Sequence, residues 1–414
     1  MTIEIIAIGH EVLHGVINNT NASFISAELL KAGWNVKRHT VLPDDAQSLE
    51  EGIREALARA DMVITTGGLG PTCDDLTRSI ASKIFDSPIQ RDEELVKELT
   101  SRYGEKLTSL EDQSLAPTKA KRLTNRLGTA SGWVFSENGR RLALLPGPPR
   151  EMSAMLIDVL LPQLSSIIGQ QPRQNFIQVS QLCCLREDDV DPFLRKLSQE
   201  FPSVHAGIYP GYGSLTVRFS SPSEQETESC QQALEREFGT YLFYSPHGKI
   251  EESIHSWFKE HEQTLAFAES CTGGRLASQI TLLPGASEFF LGSLIVYADQ
   301  LKRDLLGVAE STISSLGAVS KEVVEEMLEG LFKKTQADWA LAVSGIAGPT
   351  GGSHEKPVGT VWCAMGQRGH PPETALLYFP FSRETIITVT STYLLGALWR
   401  KIRYRVPLNS GLAK

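Results

Sequence analysis

The sequence predicts an α/β protein that folds in three segments. Strand-like apolar runs alternate with amphipathic helices in a first segment that ends near residue 164, and again in a last segment that starts near residue 250. Between them, a shorter segment has the order β-α-β-β-α-β. Strand–helix alternation is typical of a parallel sheet covered on both faces, whereas the middle order is that of a split βαβ unit.

Length, charge and cysteine usage limit the classes of function. The 414 residues suffice for two or three domains, and the formal net charge is -9. Because an acidic chain without a long Lys/Arg run attracts few polyanions, we expect neither nucleic-acid nor membrane binding. The N-terminal stretch MTIEIIAIGHE is only briefly apolar, no other run reaches membrane-spanning length, and the six cysteines form no C-x-x-C pair. These features predict a cytoplasmic protein with reduced thiols.

The first segment contains three predicted strands, three predicted helices and a hairpin. The strands are IEIIAIG, NVKRHTVL and DMVITTGG, and the helices are NASFISAELLKAG, AQSLEEGIREALARA and DLTRSIASKIF. Gly33 ends the first of these helices, and the stretch SGWVFSENGRRLALLPG contains the Asn-Gly turn of a β-hairpin. We therefore predict a doubly wound domain over residues 1–168.

The two remaining segments differ in pattern. In residues 172–245 we predict an α+β domain with strands FIQVSQLCCL, AGIY, SLTVRFS and YLFY and helices DDVDPFLRKLSQEF and EQETESCQQALEREF. In residues 250–408 we predict a second α/β domain, which begins with the helix IEESIHSWFKEHE and the strand TLAFAE and ends with a helix of basic last turn, RETIITVTSTYLLGALWRKIRYR.

A glycine-rich turn follows the third strand, in ITTGGLGPTCDDLT (residues 64–77). Successive backbone N–H groups after a strand, followed by a helix N-terminus, favour phosphate or another anion. Asp74 and Asp75 are then metal ligands or polar contacts to a ribose or pterin, and a divalent cation shared with phosphate would reconcile them with an anion. Alternatively, Asp74 caps the next helix.

Other loops of the first segment should meet this turn, because ligands bind at the carboxyl edge of an open α/β sheet. They are IGHEVLHG and INNTNA after the first strand, and LPGPPREM after the hairpin. The predicted nucleotide site comprises Glu11, Asn21, Gly67, Gly68, Gly70, Asp74, Asp75 and Gly147, with Asp75 as a metal ligand.

The motif AESCTGG in the last segment places Ser270 between a strand and a helix. Backbone N–H groups at the helix N-terminus could stabilise an oxyanion there, so Ser270 is a candidate nucleophile. Two alternatives stay open. Ser270 or Thr272 could merely cap the helix, and Cys271 could be the nucleophile, although no histidine is placed to partner it.

A serine nucleophile needs a base, and the stretch GSLIVYADQLKRDLLGV offers Tyr297 and Lys302. The long loop in ALAVSGIAGPTGGSHEKPVGTVW places Ser344 and Gly345 where a ribose or phosphate can approach the backbone. Arg383 opens the last helix and could bind a phosphate bidentately, or be an ordinary surface arginine.

These motifs, taken in order, resemble those of the CinA family: TGGLGPTCDDLT, LPGPPREM, AESCTGG, GAVS, SGIAGPTGG and EKPVGTVW. The resemblance implies a molybdopterin-binding-like first domain that hydrolyses ADP-ribose with a divalent metal ion and potassium, a KH-like middle domain, and a homodimer. It also implies that the last domain deamidates nicotinamide mononucleotide without a cofactor. Ser270 would be the nucleophile and Tyr297 and Lys302 its proton-transfer partners, with a substrate site made of Thr272, Gly273, Gly274, Ser344, Gly345 and Arg383.

The chain departs from the family pattern at a few positions. His10 stands where the first loop commonly has Asp or Thr, Ala298 and Asp299 replace a serine and an asparagine, and Pro380-Phe381-Ser382 precedes Arg383. The alternative function is a non-catalytic pterin- or nucleotide-binding protein or a competence-associated scaffold.

Overall fold

The computed structural model describes residues 2–104, 107–172 and 174–409. It divides into two compact units, Met1–Gln174 and Asn175–Lys414. The α/β fold class is confirmed, with sheets that mix parallel and antiparallel strands. The three domain boundaries predicted from the sequence stay predictions.

The first unit contains a six-stranded sheet with helices on both faces and a separate pair of short strands. Its strands are β1 (Ile3–Ile8), β2 (Val36–Leu42), β3 (Met62–Thr66), β4 (Ile89–Arg91), β5 (Leu115–Pro117), β6 (Ala120–Leu123), β7 (Gly132–Glu137) and β8 (Arg140–Leu145). Its helices are α1 (His10–Leu13), α2 (Thr20–Lys31), α3 (Ala46–Arg59), α4 (Thr77–Ile84), α5 (Glu93–Tyr103), α6 (Leu110–Gln113), α7 (Pro149–Met155) and α8 (Leu164–Ile168).

The order in this sheet is β2-β1-β3-β8-β7-β6, and β4 pairs with β5 separately. The strands β2, β1, β3 and β8 are parallel, whereas β7 is antiparallel to both of its neighbours. Alternate residues of β1 enter two separate cores, Ile3 and Ile5 on one face and Ile6 and Ile8 on the other. This alternation confirms that helices cover both faces.

The predicted hairpin is confirmed in β7 and β8, which pair antiparallel across Asn138 and Gly139. Both turn residues have positive φ, 51° and 78°, as a two-residue hairpin turn requires.

The expectation that no apolar run reaches membrane-spanning length needs correction. The helical run Pro149–Ile168 is long and apolar enough to cross a membrane by length and composition. However, its apolar residues Met152, Leu156 and Leu160 pack in the core, and a core helix passes the same test.

The second unit contains two sheets. The strands are β9 (Phe176–Cys183), β10 (His205–Pro210), β11 (Ser214–Ser221), β12 (Leu242–Phe243), β13 (Leu265–Glu269), β14 (Phe290–Ile295), β15 (Trp339–Gly345), β16 (Thr360–Gln367) and β17 (Glu373–Tyr378). The helices are α9 (Glu187–Glu200), α10 (Glu224–Phe238), α11 (Ile250–Glu260), α12 (Arg275–Thr281), α13 (Asp299–Leu306), α14 (Glu310–Leu316), α15 (Lys321–Lys334) and α16 (Arg383–Tyr404).

The smaller sheet has the antiparallel order β10-β11-β9-β12, as expected for the β-α-β-β-α-β segment. The larger sheet has the order β14-β13-β15-β16-β17. The three strands β14, β13 and β15 are parallel, so their carboxyl ends lie side by side, and β16 and β17 extend the sheet antiparallel. This arrangement positions the candidate site.

Candidate functional site

The motifs of the last segment meet at the carboxyl ends of three adjacent strands. Ser270 follows β13, and its N–H donates to Val343 O of β15 (3.0 Å). Val296 N donates to Glu269 O (2.8 Å), which places Tyr297 directly beyond the end of β14. Ser344 and Gly345 end β15. The parallel register therefore brings together residues that are distant in the sequence.

Gly345 is needed because another part of the site approaches it closely. A Cβ atom added at Gly345 would lie 3.0 Å from the Cys271 sulfur and 3.0 Å from Thr360 O. A side chain at this position would push the loop that follows Ser270 out of place. Glycine therefore allows the ends of β13 and β15 to pack together.

Arg383 connects the last helix to this edge of the sheet. Its guanidinium donates to the Tyr297 hydroxyl (2.7 Å) and to Gly348 O (2.6 Å), which lies in the loop after β15. The Arg383 and Tyr297 side chains are exposed. Their contact places a cation beside the strand ends, where the sequence predicts a phosphate-binding residue.

Lys302 is buried, with 1% of its surface exposed. Its ammonium donates to the Tyr297 backbone oxygen (3.2 Å) and to Asp299 Oδ1 (3.1 Å). The Ser270 hydroxyl hydrogen-bonds neither Lys302 nor Tyr297 in the described residues. Because catalytic hydrogen bonds are often long in proteins without substrate, Lys302 and Tyr297 both stay candidate acceptors of the Ser270 proton.

The structure corrects the predicted helix start after Ser270. The Glu269 carboxylate is fully buried and accepts hydrogen bonds from the N–H groups of Gly274 (3.0 Å), Leu276 (3.1 Å) and Ala277 (3.1 Å). Neither Ser270 nor Thr272 caps α12, because Glu269 does. The sequence had suggested that the N–H groups at the start of α12 could stabilise an oxyanion. They are not available for this, because Glu269 accepts their hydrogen bonds.

Two predicted substrate contacts are occupied by the protein itself. The Thr272 hydroxyl donates to Glu269 Oε2 (2.8 Å), and the Ser344 hydroxyl donates to Ala318 O (2.7 Å). Gly273 is exposed, with a φ of 61°. Gly274 packs under β14, because an added Cβ would lie 2.8 Å from the Ile295 side chain. Without rearrangement, the hydroxyls of Thr272 and Ser344 could accept a hydrogen bond from a ligand but could not donate one.

Glu269 is the residue that the sequence analysis missed. The Ser293 hydroxyl also donates to it (2.9 Å), so five donors satisfy one buried carboxylate. An acidic residue as the last position of an apolar strand, directly before a Gly-Gly turn, is the signal that could have identified it. A buried charge needs such partners, and backbone N–H groups are the nearest source.

The alternative nucleophile, Cys271, is disfavoured by its surroundings. Burial raises the pKa of the Cys271 thiol to about 12, and the Glu269 carboxylate adds to the rise against the opposing charges of Lys302 and Arg383. The thiolate is the reactive form of cysteine. At neutral pH Cys271 is therefore a poor nucleophile.

We expect iodoacetamide at pH 8 to alkylate the exposed Cys73 and not Cys271. Ammonia release from nicotinamide mononucleotide, the activity that the family resemblance implies, should then be unchanged by the treatment. The thiolate of Cys271 becomes populated only as the pH approaches its raised pKa. Peptide mass spectrometry of the treated protein, alongside an ammonia assay, measures both. Loss of activity in step with alkylation of Cys271 would restore the thiol as the nucleophile.

In the first unit, the predicted residues line a cleft of about 270 Å³ at the ends of β1, β3 and β8. Lining residues that the sequence predicted are Glu11, Asn21, Gly67, Gly68, Asp74, Asp75 and Gly147. Gly70 does not line the cleft, but a Cβ atom added there would lie 2.5 Å from Asp75 Oδ2. The sequence therefore predicted which loops converge on this edge.

The glycine-rich turn itself is held by close backbone contacts. An added Cβ at Gly67 would lie 2.4 Å from Ile8 O, and one at Gly68 would lie 2.2 Å from the Thr77 hydroxyl oxygen. In the described residues, the N–H groups of Gly68, Leu69 and Gly70 have no acceptor. Three successive free donors are the arrangement that favours an anion, and of the three residues Gly68 lines the cleft. The anion site itself stays a prediction.

Asp75 does not begin a helix, and Asp74 does not cap one. Asp75 Oδ2 accepts from the N–H (2.9 Å) and the hydroxyl (2.5 Å) of Thr72, and α4 begins only at Thr77. Leu76, the residue before α4, makes no side-chain cap. The aspartate therefore closes a turn at the cleft, with its second oxygen left for a ligand.

Asn21 ties the loops around the cleft together. Its amide donates to the Thr66 hydroxyl (2.9 Å) and to Gly147 O (2.8 Å), whereas its buried Oδ1 has no partner. His10, the departure in the first loop, is exposed and pairs with Asp44, which also lines the cleft. In the described residues the cleft thus combines carboxylates, the free N–H group of Gly68 and the unpaired buried Oδ1 of Asn21.

Comparisons with known proteins match both parts of the chain. Residues 247–402 match the CinA C-terminal domain and residues 4–166 the probable molybdopterin binding domain. A CinA-like protein of Thermotoga neapolitana is 34% identical over 97% of this chain and 98% of its own length. A putative competence-damage inducible protein of Moorella thermoacetica is also 34% identical, over 97% and 99%.

A solved structure, the competence damage-inducible protein A from Klebsiella pneumoniae, is 35% identical. The alignment covers 37% of this chain and 94% of that protein, with a TM-score of 0.36.

Proposed function

The chain belongs to the CinA family, and from this premise we propose that its last segment is a nicotinamide mononucleotide deamidase. The proposed reaction hydrolyses the carboxamide of nicotinamide mononucleotide to nicotinic acid mononucleotide and ammonia. One observation carries this proposal. Ser270, Tyr297 and Gly345 end three adjacent strands, with buried Lys302 and the cation of Arg383 next to them.

The proposed first step is attack by the Ser270 oxygen on the carboxamide carbon. A bond forms between oxygen and carbon, the carbonyl electron pair moves onto its oxygen, and the serine proton passes to a base. The intermediate then collapses, the carbon–nitrogen bond breaks, and the nitrogen takes a proton and leaves as ammonia. Water repeats the sequence on the ester and frees Ser270.

Lys302 and Tyr297 divide the proton transfers in this proposal. The Lys302 amine lies 3.2 Å from the Tyr297 backbone oxygen, and this hydrogen bond holds the two residues next to each other. Arg383 donates to the Tyr297 hydroxyl and keeps further N–H donors for the substrate phosphate, whose geometry suits a guanidinium.

The test is ammonia release by the purified full-length protein with nicotinamide mononucleotide, followed with a coupled glutamate dehydrogenase assay. Turnover of the nucleotide and none of free nicotinamide supports the proposal, because Arg383 should require the phosphate. Calorimetric binding without ammonia release would select the non-catalytic binder instead. Neither binding nor release would overturn both.

We expect Asp299→Asn to raise the rate of ammonia release. Asp299 accepts a hydrogen bond from the Lys302 amine (3.1 Å), and a carboxylate holds the amine in this contact, away from the serine hydroxyl, more strongly than an amide would. The Asp299 side chain is 50% exposed, so the pair is worth at most about 1 kcal/mol, or about fivefold in rate. The measurement is kcat at pH 7.5, with Asp304→Asn on the same helix as the matched control. A fall in kcat would show that the carboxylate positions the amine rather than opposes it.

We propose a second function for the first unit, because a turn with three free N–H donors begins at Gly68 in the wall of a cleft that also carries carboxylates. We propose that it hydrolyses ADP-ribose: water adds across the pyrophosphate, the bridging P–O bond breaks, and AMP and ribose 5-phosphate form. The turn at Gly68–Gly70 would hold a phosphate, and the unpaired Oδ1 of Asn21 would accept from a ribose hydroxyl.

The donors in the cleft fit a divalent cation only in part. No group of three or more His, Cys, Asp and Glu side chains is placed to hold a metal in the described residues. Glu11, Asp74 and Asp75 line one cleft, and Mg²⁺ commonly takes one or two carboxylates and completes its shell with phosphates. When bound, such an ion would neutralise charge on the phosphates, and Asp75 would hold it.

A further inference from the structure

The turn between Ser270 and α12 contains donors of two kinds. The N–H groups of Gly274, Leu276 and Ala277 are bonded to the Glu269 carboxylate, and Gly273 N donates to Ser270 O (3.1 Å). In the described part of the chain, the N–H groups of Cys271 and Thr272 have no acceptor. These two groups directly follow the candidate nucleophile.

Both residues are buried, Cys271 with 6% and Thr272 with 3% of their surface exposed. Buried backbone N–H groups are almost always paired, with protein, water or ligand. Two adjacent donors with no protein hydrogen-bond acceptor, next to a candidate nucleophile, are placed to donate to an oxygen atom of a ligand bound there. The Thr272 hydroxyl is bonded to Glu269. The Cys271 sulfur packs against Gly345 and faces its own N–H, but an uncharged thiol is only a weak acceptor.

We propose that the N–H groups of Cys271 and Thr272 form the oxyanion hole of the last segment. This inference rests on the proposed deamidase function. When the Ser270 oxygen attacks, the carbonyl electron pair moves onto the carboxamide oxygen, and the two N–H groups donate to that oxygen. Because the full negative charge exists only in the transition state and the intermediate, these donors act on kcat rather than on substrate binding.

Glu269 is the positioning residue for these donors. Its Oε2 accepts from the Thr272 hydroxyl and from the N–H groups of Gly274 and Leu276. Its Oε1 accepts from the Ala277 N–H and from the Ser293 hydroxyl of β14. The Glu269 carboxylate therefore fixes the turn after Ser270 to the end of β13. The donors of α12 are saturated, and the two that remain are the pair next to Ser270.

The test removes one N–H without changing a side chain. An ester replaces the backbone amide of Thr272 when its α-hydroxy analogue is incorporated by nonsense suppression in the full-length protein. Loss of one oxyanion-hole donor typically lowers kcat by about 10²–10³-fold, and we expect that loss here with KM changed less than about threefold. The matched control is an ester at Ser278, whose N–H makes an ordinary helix bond to Gly274 O, and we expect its kcat to stay within about threefold. An unchanged kcat in the Thr272 ester overturns the assignment.

A second measurement keeps the proposal decidable if the ester protein does not fold. In a titration of the ¹⁵N-labelled wild type with nicotinic acid mononucleotide, the product carboxylate should move the amide protons of Cys271 and Thr272 downfield. The amides of Gly274 and Leu276, already bonded to Glu269, should move less. Shifts elsewhere in the site without these two overturn the assignment.

The two proposals can fail separately. Absence of ammonia release from the wild type refutes the deamidase function. The amide titration then still reports whether this N–H pair holds a carboxylate oxygen.

Discussion

Replacing Ser270 with alanine is expected to reduce ammonia release from nicotinamide mononucleotide by about 10⁴-fold or more. Removal of a nucleophile in serine hydrolases has effects of this size, because only binding and oxyanion stabilisation remain. The Ser270 hydroxyl makes no hydrogen bond within the described residues. Alanine therefore leaves no buried partner unpaired, and the free energy of unfolding should change by less than about 0.5 kcal/mol.

Two measurements isolate the chemical step in this variant. Calorimetry should find nicotinamide mononucleotide bound by Ser270→Ala with nearly wild-type affinity, and urea unfolding should find its stability preserved. The matched control is Ser278→Ala, an exposed serine on α12, which should keep full turnover. If Ser270→Ala still released ammonia at the wild-type rate, the serine mechanism would be refuted. The iodoacetamide experiment would then show whether Cys271 replaces it.

The sequence predicted the loops of the site because hydrophobic periodicity is a local signal. Strands β1, β3 and β13 are apolar runs that end in glycine-rich or polar turns, and the carboxyl ends of parallel strands must lie at one edge. That rule sufficed to group Glu11 with Asp75. It did not predict the antiparallel extension by β16 and β17, because strand pairing is set by long-range packing.

The details of the site depended on contacts that no local pattern encodes. Arg383 reaches the Tyr297 hydroxyl across 86 positions of sequence, and the separation gives no hint of it. Glu269 caps α12 from within the preceding strand, whereas sequence rules place a cap directly before the helix. The later start of α4 has the same origin, because Asp75 bonds back to Thr72 instead of forward into a helix. For Glu269 and Asp75, a side chain satisfied backbone donors outside the position that local rules assign to it.

In the first unit, replacing Asp75 with asparagine is expected to lower formation of AMP and ribose 5-phosphate from ADP-ribose by about 10²-fold or more. The amide keeps an oxygen that can accept from Thr72, so the turn at residues 72–75 is retained, but the charge that would hold a divalent cation is lost. Asp75→Ala should lose the same activity and also about 1 kcal/mol of stability, because both Thr72 donors lose their acceptor. Chromatography of the products in magnesium, in chelator, and with sodium in place of potassium measures these effects. Asp158→Asn, at an exposed aspartate, is the control.

The two variants also test each other, because the candidate sites belong to separate compact units. Ser270→Ala should hydrolyse ADP-ribose at the wild-type rate, and Asp75→Asn should release ammonia at the wild-type rate. Turnover of ADP-ribose that survives in chelator would refute the metal ion, and unchanged turnover by Asp75→Asn would refute the role of this carboxylate. If both activities fell in both variants, the two units would have to act as one catalytic system, because neither substitution removes a contact in the other unit. Separate losses would instead show that each unit acts on its own substrate independently of the other activity.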